Sequence, residues 1–119
     1  MQQIQRPPLS EGEIYVGAIG DANGDFYHLI LLAGDSEDAT WQAQMEWAKS
    51  IGGDLPTRVE QTMLWANFRD QFQKDWYWSN EVHHRESGWA WYQGFGYGGQ
   101  HSRSQNHELR ARAVRRLPI

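Results

Sequence analysis

Cysteine is absent from the 119 residues. That excludes disulfide bridges, thiolate zinc sites and cysteine nucleophiles, and it leaves packing alone to stabilise the chain, as suits a reducing compartment. Long apolar runs are missing too: no segment approaches the ~18 apolar residues of a membrane-spanning helix. The start, MQQIQRPPLS, lacks the basic stretch and apolar run of a secretory signal, so none is expected. Neither a G-x-S-x-G elbow nor a phosphate-cradling glycine loop occurs, and Gly94-Phe95-Gly96 lacks the strand, helix and third glycine of a dinucleotide site.

What is present is globular. The chain is 39% hydrophobic and 13% aromatic, with seven Trp, which is too much large apolar surface for a disordered segment. Its length suits one domain, which buries roughly two-thirds of the unfolded surface. Residues 1–11, with Pro7-Pro8, read as an extended lead-in and 12–119 as a single domain. The net charge of -4 conceals a gradient: residues 101–119 hold five Arg and one Glu, whereas residues 1–100 hold six basic and fourteen acidic residues. An acidic bulk of this kind repels anionic membranes and nucleic acid, so neither is an expected partner.

Periodicity gives the elements. EIYVGAIG and FYHLILLAG flank Asn23-Gly24, a dipeptide that accepts the positive φ of a tight turn, and predict a hairpin. The run Leu29 to Leu32 lacks alternation, as expected of a strand covered on both faces. Asp38 is the expected cap of a helix with Trp41, Met45 and Ala48 on one side, ended by Gly52-Gly53. Thr57 and Glu60 form a T-x-x-E capping box before a second helix, from about Arg58 to about Asp70, with Val59, Met63, Leu64, Phe68 and Phe72 as its apolar stripe. DWYWSNEV, GWAWYQGF and ELRARAV then predict three strands. The order is hairpin, two helices, three strands, hence α+β rather than a βαβ series.

Several constellations suggest chemistry. Asp21, Asn23 and Asp25 have the first ligand spacings of a calcium loop, but Phe26 and Leu32 stand where that loop needs Gly and Glu, so a plain turn is expected. His83-His84 would point to opposite faces of a strand, which argues against joint metal ligation. Asp75, Glu81 and Glu86 carry no spacing that defines a glycosidase pair. Arg110 and Arg112 alternate with small apolar residues, a pattern that gives either a phosphate-binding ridge or, as the upstream acid favours, a set of internal ion pairs. Trp91 and Phe95 read as core, together with Trp76 or Trp78. Beyond Phe95, GYGGQHSRSQNH has no apolar period and the composition of a binding loop, in which rigid rings alternate with adaptable hydrogen-bonding groups.

The blocks LPTRVE, YWSN, AWYQGFGYGGQ and RAVR occur in that order between Gly52 and Arg116. Together they resemble a bacterial and phage family of domains of unknown function, related to the C-terminal domain of a bacterial collagen-like adhesin. The resemblance implies a C-type-lectin-like fold, the scaffold also used by the variable proteins of diversity-generating retroelements, with an N-terminal β-hairpin, two helices and a C-terminal antiparallel sheet. It implies that Leu55, Pro56, Trp78, Trp91, Phe95, Gly98 and Arg112 are structural. It further implies that Asn80, Glu81, His83, His84, Tyr92, Gln93, Tyr97, Gln100, His101, Ser102, Arg103, Gln105 and Asn106 face a ligand. Sugar-binding members of that fold carry Cys pairs and Glu-Pro-Asn, Gln-Pro-Asp or Trp-Asn-Asp triplets, none of which is present, so calcium-dependent sugar binding is not expected. Formylglycine-generating oxidases share the fold, but their chemistry needs Cys.

The expectation is therefore a non-enzymatic, cofactor-free binding module, encoded by a phage or prophage, that recognises a protein or a glycan in the host cytoplasm or on a phage particle. Two alternatives stand beside it. One is an intracellular inhibitor whose carboxylates imitate phosphates before a host defence or nucleic-acid enzyme. The other is a metal-dependent hydrolase built on Asp75, Glu81, His83 and His84.

Overall fold

A computed structural model describes residues 5–119, so residues 1–4 of the lead-in lie outside the described residues. Two sheets and two helices make up the α+β fold. Strands β1 (Ile14–Gly20) and β2 (Phe26–Leu31) form the N-terminal hairpin, followed by β3 (Ser36–Ala39), α1 (Trp41–Ser50) and α2 (Arg58–Phe68). Then come β4 (Trp76–Val82), β5 (Trp89–Gly94), β6 (Gln100–Ser104), β7 (Leu109–Ala111) and β8 (Val114–Pro118). One sheet has the order β1-β2-β8 and the other β3-β7-β4-β5-β6.

The hairpin turns where Asn23-Gly24 stands, with Gly24 at φ 83°. Asp21 Oδ1 accepts the N–H groups of Asn23 and Asp25 at 2.9 and 3.0 Å, which makes the acidic cluster a turn built from its own backbone. β2 lies between β1 and β8, and its residues alternate between two cores. Ile30, with Leu32 just beyond the strand, joins Trp78, Leu55 and Ala48 on the α1 side. Leu29 and Leu31 join Leu64, Tyr77 and Phe95 on the α2 side. A strand buried on both faces needs no polar alternate, which accounts for its unbroken apolar run.

The helix starts differ in how well local chemistry specifies them. The capping box of α2 is complete: Thr57 Oγ1 accepts Glu60 N–H at 3.1 Å and Glu60 Oε1 accepts Thr57 N–H at 2.9 Å. For α1 the expected cap, Asp38, is instead a residue of β3, and Thr40 caps the helix by accepting Ala43 N–H. The apolar stripe of α2 also needs correction, because Val59 is 66% exposed while Glu60 and Gln61 are buried. The helix is rotated so that Glu60 reaches Arg116 and Gln61 Nε2 donates to the Tyr77 carbonyl at 3.0 Å.

The C-terminal strands do not make one antiparallel sheet. β7 lies parallel to β4, pairing Arg110 with Tyr77, whereas β8 leaves to pair with β2. The expected strand ELRARAV breaks at Arg112, whose buried guanidinium donates to the carbonyls of Gln71 and Leu32, each at 2.7 Å. One residue further on, the Ala113 carbonyl accepts Leu32 N–H at 2.9 Å and carries the chain into the other sheet.

Candidate functional site

The register of β4, β5 and β6 sorts the aromatic segment into two faces. Trp78 pairs with Tyr92, Trp76 with Gly94, Tyr92 with His101 and Ala90 with Arg103. Because strand side chains alternate, Trp76, Trp78, Tyr92, His101 and Arg103 share one face, while Tyr77, Trp91, Gln93, Gln100 and Ser102 share the other.

On the first face, Trp78 is fully buried in the core that α1 covers, but Trp76 is 41% exposed. Towards β6 the face opens into a groove of about 650 Å³, lined by Lys74, Trp76, Tyr92, Tyr97, His101, Ser102 and Arg103 and by glycines of the β5–β6 turn. Trp76 stacks on Tyr92 with ring centroids 5.0 Å apart and planes at 30°. The Arg103 guanidinium lies 5.1 Å from the Trp76 ring centroid, and His101 lies 6.0 Å from Tyr92. Tyr97, at the tip of the turn, is fully exposed. Gly98 holds this turn at φ 85°, and a Cβ there would stand 2.5 Å from the Trp65 ring, so the turn is pinned to α2 by a contact only glycine permits.

Among the described residues no carboxylate lines the groove. Among the described residues, the side-chain polar groups of Lys74, Trp76, Tyr92, Tyr97, His101 and Arg103 make no hydrogen bond to the rest of the protein. The other arginines of the C-terminal segment are committed elsewhere. Arg110 pairs with Asp35 at 3.0 Å, Arg115 with Glu13 at 2.8 Å, and Arg116 with Asp54 at 2.8 Å and Glu60 at 2.6 Å. Arg112 is spent on two carbonyls. Among the described residues Arg103 is thus the member of this group whose donors remain available, and with Lys74 it makes the groove a patch of positive charge on an acidic protein.

On the opposite face, Trp91 is a half-buried platform rather than core. The Arg58 guanidinium lies 3.6 Å from its centroid, the His83 ring stacks on it at 5.2 Å, and His84 stacks on His83 at 5.0 Å. His83 Nδ1 accepts the N–H groups of Arg85 and Glu86 at 3.1 and 3.2 Å. Glu81 Oε2 accepts Arg58 N–H at 2.7 Å, placing its charge at the positive end of α2.

The residues expected to face a ligand therefore do not converge. Tyr97, His101 and Arg103 gather at the groove, Ser102 borders it while its side chain lies on the opposite face, and Tyr92, expected to be displayed, is buried in the α1-side core with one edge lining the groove. Glu81, His83 and His84 stand with the Trp91 platform. Gln93 is buried, contrary to its expected display, because its amide donates to the Gly94 carbonyl and accepts from Gln100. Gln100 ties β6 to α2 by donating to the Arg58 carbonyl at 2.7 Å and accepting from Arg58 Nε at 3.0 Å. Asn80 donates to Asp54 at 3.0 Å, and Gln105 donates to the carbonyls of Ser87 and Trp89. Asn106 is exposed at the turn after β6. Lys74, Trp76 and Arg58 were not among the expected site residues. Trp76 carried a signal in the alternation of DWYWSNEV, which separates two Trp-bearing positions from Tyr77 but does not say which Trp a helix covers.

For metal chemistry, Asp75 accepts Trp76 N–H at 2.7 Å and Glu81 serves Arg58. Among the described residues no group of three His, Asp or Glu side chains gathers to hold an ion. No known family model matches the chain, and no curated protein is significantly similar to it.

Proposed function

We propose that this chain is a non-enzymatic ligand-binding module of C-type-lectin-like fold, encoded by a phage or prophage, that takes a protein or glycan ligand in the groove beside β6. The order of N-terminal hairpin, two helices and later strands supports the fold assignment. The observation that carries the function is the groove itself: stacked and exposed rings stand beside three basic side chains, with their donors unspent and no acid among the lining residues. A folded chain leaves donors in this state where solvent or a ligand satisfies them. Trp76 and Tyr97 offer rigid apolar area at low entropic cost, and Lys74 and Arg103 select for negative charge.

The test compares wild type with a Trp76→Ala/Arg103→Glu variant, in parallel on a glycan array and in capture from host lysate with mass-spectrometric identification. Trp76 is more than half buried against Tyr92 and Arg103 is half-buried, so circular dichroism and melting temperature are recorded for both proteins and the comparison is made at a temperature where the variant is folded. A ligand retained by the wild type and lost by the variant supports the groove. Equal retention by both proteins removes it as the binding site.

A further inference from the structure

Among the described residues β6 is the outer strand of its sheet, with β5 on one side and no strand on the other. The ladder's phase is fixed at both ends. Gly94 N–H donates to Gly99 O at 2.8 Å and Gln105 N–H donates to Gly88 O at 2.9 Å. Hydrogen-bonded pairs in an antiparallel ladder recur at every second residue. His101 and Arg103 therefore turn their backbone groups to β5, and Gln100, Ser102 and Ser104 turn theirs outward. The Ser104 carbonyl is used by His107 N–H at 3.0 Å. The N–H and C=O of Ser102 have no hydrogen-bond partner among the described residues.

This open edge borders the groove, and the side chains of His101 and Arg103 stand on the groove face of the same strand. A chain pairing with β6 would project every second side chain over that face, beside Arg103 and His101 and towards Lys74. The charge there is positive and no carboxylate lines it, so acidic side chains fit those positions. A second copy of β6 does not fit. Its residues, QHSRS, offer no carboxylate to the positions over the groove.

We propose that β6 is a docking edge for an extended acidic segment of a partner protein, which adds a sixth strand to the sheet and places Asp or Glu at alternate positions over the groove. The inference rests on the groove reading above, and it adds the backbone of Ser102 as a binding element.

Random ten-residue peptides displayed against the full chain test it, with Ser102→Pro and Arg103→Glu variants as counter-targets. Proline at 102 removes only an outward N–H, so the ladder to β5 is retained. The expected result is enrichment of peptides with Asp or Glu at every second position. Their affinity should fall by about tenfold on Ser102→Pro, as the loss of a main-chain hydrogen bond predicts, and should be lost when alternate peptide amides are N-methylated. The N-methylated peptides test the same bond on the wild type should Ser102→Pro fold poorly. Enriched peptides that tolerate both Ser102→Pro and N-methylation overturn the edge mechanism, and if they still fail on Arg103→Glu the groove survives without it. No enrichment over the counter-targets overturns the proposal as well. So does a concentration-dependent dimer abolished by Ser102→Pro, which would assign the edge to a second copy.

Discussion

Glu60 and Arg116 are joined by two parallel hydrogen bonds, from Nε at 2.6 Å and from Nη2 at 2.8 Å, with the carboxylate wholly shielded from solvent. The same carboxylate accepts Thr57 N–H at 2.9 Å and the Tyr27 hydroxyl at 2.5 Å. One side chain thus closes the capping box of α2 and ties that helix to β2 and β8. Burial and the bond to Glu60 push the Tyr27 phenol well above its ordinary range, so it remains a donor to the carboxylate.

Replacing Glu60 by Ala leaves Arg116 with Asp54 and the Leu55 carbonyl and removes the side-chain half of the capping box, the Thr57 cap itself remaining. The expected loss is roughly 3–5 kcal/mol, the range for breaking one partner of a buried pair. Urea unfolding of Glu60→Ala checks it.

Tyr77 supplies a pH dependence at the alkaline end. Its hydroxyl donates to Asp35 Oδ2, and burial, followed by that bond, pushes the phenol up to about 12 from a reference value of 10.0. A group whose folded pKa is raised contributes stability that is complete below the unfolded pKa and is lost as pH rises through the folded one. The destabilisation caused by Tyr77→Phe should therefore be largest at pH 8 and shrink between about pH 10 and about 12. Thermal melts of both proteins across that window measure the difference.

At the acid end the sign reverses. Arg115 hydrogen-bonds Glu13 and holds its carboxyl below the reference value of 4.5, against the opposing effect of burial. The contribution is present above that reference and disappears as pH falls through the lower folded value. Glu13→Gln should be less stable than wild type at pH 7, with the gap closing towards pH 2, in chemical-denaturation curves run at both.

How much of this was legible in the sequence follows the range of the forces involved. The Asn23-Gly24 turn and the Thr57–Glu60 box are closed within a few residues, and both elements lie where local chemistry predicts. β3 (SEDA) and β6 (QHSRS) are sheet edges that hold their places through backbone pairing, so they lack the apolar alternation by which strands are recognised. The break of ELRARAV at Arg112 depends on carbonyls of Gln71 and Leu32, 41 and 80 residues away in the chain. The groove was half legible. The composition of GYGGQHSRSQNH marked Tyr97, His101 and Arg103, but Trp76 and Lys74 reach the same place from β4 and the segment before it. Burial of Gln93 was hidden because its partner, Gln100, is on the neighbouring strand.

Gly98 is a local test of how rigidly the groove's rim is held. Alanine there meets both an unfavourable positive φ and the Trp65 ring at 2.5 Å. Such a substitution is expected to cost more than about 1 kcal/mol and to loosen the turn that carries Tyr97. Denaturation of Gly98→Ala gives the cost, and hydrogen exchange across residues 94–100 reports whether the loosening is local.

The central claim is that the groove beside β6 is where the ligand sits. Calorimetric titration of a captured ligand into wild type and into Trp76→Ala/Arg103→Glu, with the melting temperature of both proteins recorded alongside, tests it most directly. The account predicts an affinity at least about tenfold weaker in the variant, the scale of one lost charge-assisted contact, with the fold unchanged. Equal affinity in two equally folded proteins would contradict it.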